Sequence, residues 1–248
     1  LRRRFELPPD LGARAVFGRL TVEGAVRDDR GRYIASAASA EFVAVDRLVG
    51  LKARRWAFAA NEAAEIYYVV VGPTGAPAAG TDVRVTVERL ETRAARVRGA
   101  GNAYVTQFVE EWVPVDTCTG VSGTAPSVCR FVPDAPGRYR ATAAIADTEG
   151  RGHETVLDVW VTGPGHVVWS GDNDDTLEIV PETAELAVGD TARYLIKNPY
   201  PGASALITVE RYGVLEQRVE RLDGSTPTIE IEIEPEHLPG FYLSVLVI

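Results

Sequence analysis

The chain has 248 residues, of which 46% are hydrophobic and 25% are charged, so its composition excludes disordered and fibrous proteins. Its net charge of -9 is uneven, because residues 171–248 contain five basic and fifteen acidic side chains. There is no basic stripe of the kind that nucleic acid requires, and no apolar run approaches the roughly 18 residues that cross a bilayer. We therefore expect no nucleic acid and no membrane contact, and the absence of methionine indicates a piece of a longer protein.

The first predicted elements are two strands near 19–27 and 33–45, and the sequence of this region returns later in the chain. Residues 18–32 match residues 137–151 at a constant offset of 119, and both segments end in the order Asp-x-x-Gly-Arg. Residues 85–89 match 207–211, and a third copy of the first pattern begins at Gly240. The chain therefore contains the end of one unit of about 120 residues, one whole unit and most of a third.

Each unit has the pattern of β-structure. Val83, Val85 and Val87 alternate with polar residues, as in a half-buried strand, and Gly/Pro-rich turns separate such runs. The whole unit is predicted to contain strands near 54–58, 65–71, 81–91, 106–114, 128–132, 138–147 and 153–162. The predicted fold is all-β, with consecutive immunoglobulin- or fibronectin-like antiparallel β-sandwich modules.

The repeat predicts the domain boundaries. Residues 1–46 are expected to be the C-terminal strands of an incomplete domain, 47–163 a complete domain, 164–176 a linker, and 177–248 a domain that lacks its last strand. Because an unpaired edge recruits strands, we expect one of the strands within 19–45 to pair with an open sheet edge, in the same chain or in another.

Cys118 and Cys129 are the only cysteines, and they enclose ten residues rich in Gly, Ser, Thr and Pro. A hairpin-like loop of this length can bring the two sulfurs together, and closing it would stabilise the fold by about 3 kcal/mol. Such a disulfide indicates an oxidising compartment. The alternatives are two unpaired thiols in a cytosolic loop or, less well supported without a nearby His, a zinc site.

No residue pattern indicates catalysis, so we expect no enzymatic activity, catalytic residue, cofactor or metal. His153, His166 and His237 are far apart in sequence and belong to no nucleophile or zinc motif. The run Asp172–Asp175 has oxygen ligands suited to Ca²⁺, but it lacks EF-hand spacing and is interpreted as an acidic linker. The four tryptophans are spread over different predicted strands and the linker, which favours core and inter-module packing over a carbohydrate site.

Several segments of the last two units belong to a pattern that extends beyond this chain. In the last unit these are Leu177–Pro181, Val188–Ile196, Asn198–Gly202, Ala205–Leu215 and Pro239–Val245. In the middle unit they are Asp46–Leu51, Gly137–Asp147, Trp160–Gly163 and the loop that contains the two cysteines. The string Thr-Val-Glu-Arg-x-Gly-Val-Leu is the most specific of them. Together these segments resemble macroglobulin-like domains of bacterial alpha-2-macroglobulins, and the resemblance covers nearly the whole chain.

The resemblance implies a periplasmic or cell-envelope protease inhibitor, either secreted or a lipoprotein, that cages a protease after a bait region is cut. Its implied partners are the trapped proteases and neighbouring macroglobulin-like domains. The Cys-x-Glu-Gln thioester motif of some members is absent, because Cys118 and Cys129 are followed by other residues, and no bait-like stretch occurs. We therefore expect this segment to be scaffold. The alternative is spacer or ligand-binding modules of a cell-surface adhesin.

Overall fold

The computed structural model describes residues 17–98, 104–170 and 176–248. Within them the chain forms β-sheets and one short 3-10 turn at Pro235–His237, so the predicted all-β class is confirmed. The strand pairs are antiparallel, except that the short strand Ala57–Ala59 pairs in parallel with Gly152–Thr162. The strands are β1 Phe17–Arg27, β2 Tyr33–Val43, β3 Leu48–Ala53, β4 Ala57–Ala59, β5 Ala64–Val71, β6 Asp82–Arg98, β7 Tyr104–Val121, β8 Ser127–Phe131, β9 Gly137–Ala146, β10 Gly152–Thr162, β11 Glu178–Pro181, β12 Thr191–Lys197, β13 Ala203–Glu210, β14 Val214–Leu222, β15 Thr228–Glu232 and β16 Tyr242–Val247. In this part of the chain, no helix is long and apolar enough to span a membrane.

Strands β3 to β10 form a sandwich, which we call the middle module. Its larger sheet has the order β4-β10-β9-β6-β7 and faces a smaller sheet of order β3-β5-β8. Alternate residues of β5 and β9 are buried, so one face of each strand supplies the core and the other faces outward. Ile66, Val85 and Tyr139 are among its fully buried side chains, and burial of such side chains is the main favourable term in folding.

Strands β11 to β16 form a second sandwich, the last module, with its own core. One sheet has the order β11-β12-β15 and the other the order β14-β13-β16. Ile196, Ile207, Leu222 and Ile229 are each at most 1% exposed and belong to a cluster separate from that of the middle module. The two modules therefore do not share a core.

Strands β1 and β2 pair with each other as a separate two-stranded ribbon, and among the described residues neither of them joins the sheet edge that was expected to receive one of them. The turn of the ribbon repeats the turn between β9 and β10 in atomic detail. In each turn an Asp carboxylate accepts hydrogen bonds from the backbone N–H groups two and four residues later and from the side chain of an Arg four residues later. The pair is Asp28 and Arg32 in the ribbon, and Asp147 and Arg151 in the turn between β9 and β10. The sequence repeat is thus a repeated hairpin with a conserved geometry. Residues 1–16 of the predicted first segment lie outside the described residues.

The strands of the middle module differ from prediction in two places. β3 was not predicted, and the strand predicted at 54–58 is the short β4. β6 and β7 are both longer than predicted, and they continue together past the sandwich as a two-stranded ribbon whose outer part is largely exposed. Alternation of apolar and polar residues predicts a strand only where one face of that strand is covered. The outer part of this ribbon is held instead by the backbone hydrogen bonds between its two strands.

For the third copy of the repeat, the alignment given by strand pairing differs by one residue from the alignment given by the sequence match. The match at Gly240 aligns Tyr242 with Tyr139, but the registers of β16 on β13 and of β9 on β6 align Phe241 with Tyr139. Tyr139 is fully buried, whereas Tyr242 is 79% exposed and Phe241 packs against the core and against His237. Since side chains alternate along a strand, this one-residue shift exchanges the core face and the solvent face.

Candidate functional site

The segment of residues 163–170 follows β10 and leads toward the last module; we call it the connection, and hydrogen bonds tie it to the last module. After β10 the chain reaches Trp169, whose indole Nε1–H donates to the carbonyl of Ser225 at 3.0 Å. The backbone N–H of Val167 donates to the hydroxyl of the same serine at 3.1 Å. Ser225 is fully buried in the segment between β14 and β15, so the connection is anchored on a rigid part of the last module.

A lysine of the last module lies against a pair of tryptophans at this junction. Trp160, at the end of β10, and Trp169 have ring centroids 6.1 Å apart. The Lys197 ammonium is 5.3 Å from the Trp160 centroid and 5.6 Å from that of Trp169, within the range of cation–π attraction. Its directly opposite neighbour on β11, Glu178, forms an ion pair with the same ammonium. One side chain thus contacts the middle module, the connection and its own sheet.

The position of Lys197 is set by the buried residue that follows it. Asn198 is 0% exposed, and its side-chain amide donates to the carbonyls of Leu222 at 3.3 Å and Gly224 at 2.9 Å. Its backbone N–H donates to Ser225, the same residue that anchors the connection. A buried amide with satisfied hydrogen bonds holds a loop in one conformation, so the lysine is presented from a fixed point.

Charged and aromatic side chains continue from the junction along the outer face of the larger sheet. The Arg140 guanidinium lies 4.1 Å from the ring centroid of Trp112 and is bonded to Glu88 at 2.7 Å. Beside it, Arg138 pairs with Asp158 at 2.7 Å. Where this face meets the last module there is a cleft of about 140 Å³, bordered by side chains of both modules and of the connection. The shape of this cleft therefore depends on how the two modules are oriented.

The opposite end of the middle module has a second polar junction. There the Asp147 carboxylate accepts from the backbone N–H of Asp46, which follows the β1–β2 ribbon, at 3.3 Å and from the Arg151 side chain at 2.7 Å. Burial acts to raise the pKa of Asp147, but hydrogen bonds from Arg151 and from backbone N–H groups outweigh it and lower that pKa to about 2. The hairpin turn thus also receives the incoming chain.

The two cysteines are joined in a disulfide, with their Cα atoms 5.6 Å apart. The sequence placed both of them around a loop, but β7 continues to Val121, so Cys118 lies on a strand of the larger sheet. Cys129 lies on β8 of the smaller sheet and is fully buried. The bridge therefore crosses the core and links the two sheets of the middle module.

The three histidines are not brought together. His153 accepts at Nδ1 from the backbone N–H of Val49 at 3.1 Å, and burial lowers its pKa. His237 is buried in the last module, and His166 is exposed in the connection. Among residues 17–98, 104–170 and 176–248, no three His, Cys, Asp or Glu side chains are placed to share a metal ion. The acidic run at 172–175 lies outside the described residues.

Sequence reasoning anticipated inter-module packing of tryptophans but missed the lysine between them. The composition contains a signal for this position, because Lys197 is one of only two lysines among the 26 Lys and Arg residues of the chain. In a chain where arginine is the usual cation, the lysine next to the Asn-Pro turn is an unusual residue.

Comparisons with known proteins point to one family. Residues 177–248 match the family model described as the alpha-2-macroglobulin bait region domain. An alpha-2-macroglobulin homolog from Nostoc sp. is 28% identical over 228 residues, which make up 88% of this chain and 11% of that protein. The chain therefore spans about a tenth of the length of this curated relative.

Two solved structures are also similar in part. Native alpha-2-macroglobulin from E. coli, determined by cryo-EM, matches with a TM-score of 0.43 and 16% identity, covering 93% of this chain and 15% of that one. Alpha-2-macroglobulin from Salmonella reacted with methylamine matches with a TM-score of 0.42 and 13% identity, covering 92% and 16% of the two chains.

Proposed function

We propose, because the chain belongs to the bacterial alpha-2-macroglobulin family, that its modules are scaffold units of a broad-spectrum protease inhibitor. In this proposal the longer protein traps a protease by a conformational change that follows cleavage of its bait region. The observation that carries the proposal is the match of 88% of this chain to an alpha-2-macroglobulin homolog.

The contacts at the junction are suited to a mechanical role. Each module has its own core, so each can move as a rigid body. The junction is held by polar and cation–π contacts of Lys197, Trp169 and Ser225, which are individually worth about 1 kcal/mol. Interactions of this size hold one arrangement of the modules, yet they can be exchanged when strain is released elsewhere in the longer protein.

The family model that matches residues 177–248 is named for the bait region domain, whereas their described part is a packed sandwich. Its strands pair over most of their length, and proteolysis requires an extended segment that can leave its neighbours. We therefore assign the last module to the framework of that domain and place the cleaved segment elsewhere. The adhesin alternative is not favoured, since both sequence matches name alpha-2-macroglobulins.

The proposed partners are proteases held by the whole inhibitor and the macroglobulin-like modules that flank this segment. The disulfide between Cys118 and Cys129 supports a periplasmic or cell-envelope location, because such bridges persist in oxidising compartments. A secreted or lipoprotein form of the longer protein is consistent with the same chemistry.

The proposal is tested on the longer protein with trypsin as the probe. We expect that, after incubation, trypsin loses activity toward a large protein substrate but keeps most of its activity toward a small chromogenic peptide, as a caged enzyme should. Trypsin inactivated at its catalytic serine is the control, because it cannot cut a bait and should leave the inhibitor unchanged. Equal loss of activity toward both substrates, or no loss at all, would contradict protease trapping.

A further inference from the structure

The outer halves of β6 and β7 extend beyond the sandwich of the middle module; we call residues 92–98 and 104–110 the β6–β7 ribbon. The last residue of β6 that pairs with β9 is Arg89, so beyond it the two strands pair only with each other among the described residues. From Arg89 to Arg98 the extension reaches about 30 Å at roughly 3.3 Å per residue. A two-stranded ribbon is marginally stable in water, and it gains stability from a further contact on one face or edge.

One face of this ribbon carries arginine and aromatic side chains. The register places Arg98 opposite Tyr104, and alternate residues of a strand share a face. The residues that lie on this side form what we call the arginine-aromatic face: Ala94, Arg96, Arg98, Tyr104, Thr106 and Phe108. Tyr104 is 66% exposed and Phe108 is half-buried. The face continues the outer face of the larger sheet, because Trp112 lies four residues after Phe108 on the same strand.

The arginines of this face have no carboxylate partner within the described part of the chain. Residues 92–109 contain three arginines and no acidic residue, in a chain whose net charge is -9. Arg93, on the opposite face, is paired with Glu91 at 3.4 Å. Arg96 and Arg98 are exposed and form no ion pair with any residue that the structure describes. A partner that supplies carboxylates would neutralise both, and arginine beside tyrosine is a composition typical of protein interfaces.

The free edge of β7 is unguarded along the same residues. β7 is the last strand of the larger sheet and, in the described ranges, pairs only with β6. Charged side chains and proline protect an edge from adding a strand, and β7 has them in its inner half: Glu110, Glu111, Pro114 and Asp116. Residues 104–109 contain none of them. The part of the edge that can accept a strand therefore lies beside Arg96 and Arg98.

We propose that residues 104–109 and the arginine-aromatic face bind an acidic segment of a separate protein. The segment adds to the free edge of β7 as an extended strand, with carboxylates at alternate positions on the side of the arginines. Arg96 and Arg98 are two residues apart, about 7 Å, which equals the spacing of alternate side chains in the added strand. This inference does not rest on protease trapping.

The neighbouring parts of the chain do not supply the occupant. The β1–β2 ribbon and the last module are both present in the structure, and they leave the arginine-aromatic face largely exposed. The occupant therefore comes from outside the described residues, and the reach of the β6–β7 ribbon presents this face to a separate protein.

A polypeptide fits this surface better than nucleic acid does. Glu110 and Glu111 adjoin the arginine-aromatic face and would repel a phosphate backbone, and two exposed arginines neutralise few phosphates. The unpaired N–H and C=O groups along the edge pair with another peptide backbone, which nucleic acid lacks.

The test measures by fluorescence anisotropy how a labelled acidic peptide binds to the 248-residue chain and to the longer protein. The peptide is Thr-Glu-Thr-Glu-Thr-Glu-Thr, because threonine favours an extended strand and glutamate supplies alternate carboxylates. One control peptide has the same composition with its glutamates in one block, and another has lysine in place of glutamate. The matched variants are Arg96→Gln/Arg98→Gln on the arginine-aromatic face and Arg93→Gln on the opposite face.

We expect the alternating peptide to bind both proteins, the block peptide to bind at least tenfold more weakly, and the lysine peptide not to bind. The double variant should weaken binding at least tenfold, whereas Arg93→Gln should change it less than twofold. Equal binding of the alternating and block peptides, or equal binding by the double variant and the wild type, would overturn the proposal.

Three other results would overturn the assignment to a separate protein. Binding to the 248-residue chain but not to the longer protein would show that the longer polypeptide itself covers the face. Dimerisation that Arg96→Gln/Arg98→Gln abolishes would assign the face to a second copy of the chain. Tighter binding of a labelled oligothymidylate than of the alternating peptide would assign it to nucleic acid.

Discussion

Removing the disulfide should destabilise the middle module specifically. The bridge joins residues that are 11 apart in sequence. Closing a loop of this length lowers the entropy of the unfolded chain and so stabilises the folded module by about 3 kcal/mol. We therefore expect the double variant Cys118→Ala/Cys129→Ala to lower the free energy of unfolding by at least about 3 kcal/mol, since Cys129 is also fully buried and loses packing. The melting temperature should fall by roughly 10 °C.

The assay is urea unfolding without reductant, followed by hydrogen exchange to assign each transition to a module. With a urea dependence of about 2 kcal/mol per molar, the midpoint of the middle module should fall by about 1.5 M. The last module should be unchanged, because its core is separate. Thr119→Ala, an exposed change next to Cys118, is the control and should shift the free energy by less than about 0.5 kcal/mol. A double variant that unfolds at the wild-type midpoint would refute this reasoning.

Three further predictions follow from single side chains. The pKa of Asp147 is about 2 when folded, below the unfolded value of about 4, so its stabilisation is complete above about pH 4 and is lost as the pH falls toward 2. Asp147→Asn should therefore flatten the acid limb of a stability-versus-pH curve, and an unchanged limb would contradict the assigned hydrogen bonds. Lys197→Gln should remove about 1 kcal/mol of junction contacts and speed native-state proteolysis of residues 163–170 about fivefold. The other lysine provides the control, since Lys52→Gln should leave that rate unchanged, and equal rates in all three proteins would show that the junction contact is not stabilising. Tyr139→Phe should cost about 1 kcal/mol in thermal unfolding, because the buried hydroxyl donates to a backbone carbonyl at 2.7 Å; a neutral effect would show that water replaces that bond.

The parts of the fold that depend on local sequence were predictable. Alternation of apolar residues at Val83, Val85 and Val87 identifies a half-buried strand, and all three side chains are in the core. The Asp-x-x-Gly-Arg repeat lies between two predicted strands at both of its places, and the structure has a hairpin turn at each, because the aspartate and the arginine make the bonds of the turn within the repeat itself. The cysteine pair was also identified from spacing, although its position on two strands was not.

The parts that depend on contacts between distant residues were not predictable. Lys197 and Trp160 meet only because two modules pack at one angle, and no local pattern records that angle. The outer halves of β6 and β7 have no buried face, so alternation carries no signal there. Phe241 and Tyr242 show a third limit, because two adjacent aromatics can each be aligned with Tyr139 until the strand pairing is known.

The central claim is that the two modules are rigid bodies whose junction changes when the longer protein is cut. The most direct measurement is the spin–spin distance between non-cysteine labels at Val156 on the middle module and Val219 on the last module, both exposed, before and after treatment with trypsin. A second pair within the middle module, at Val121 and Val156, is the internal control. The account predicts a new distance for the first pair, no change for the second, and no change in either with inactivated trypsin. An unchanged distance between Val156 and Val219 after the bait has been cut would contradict it.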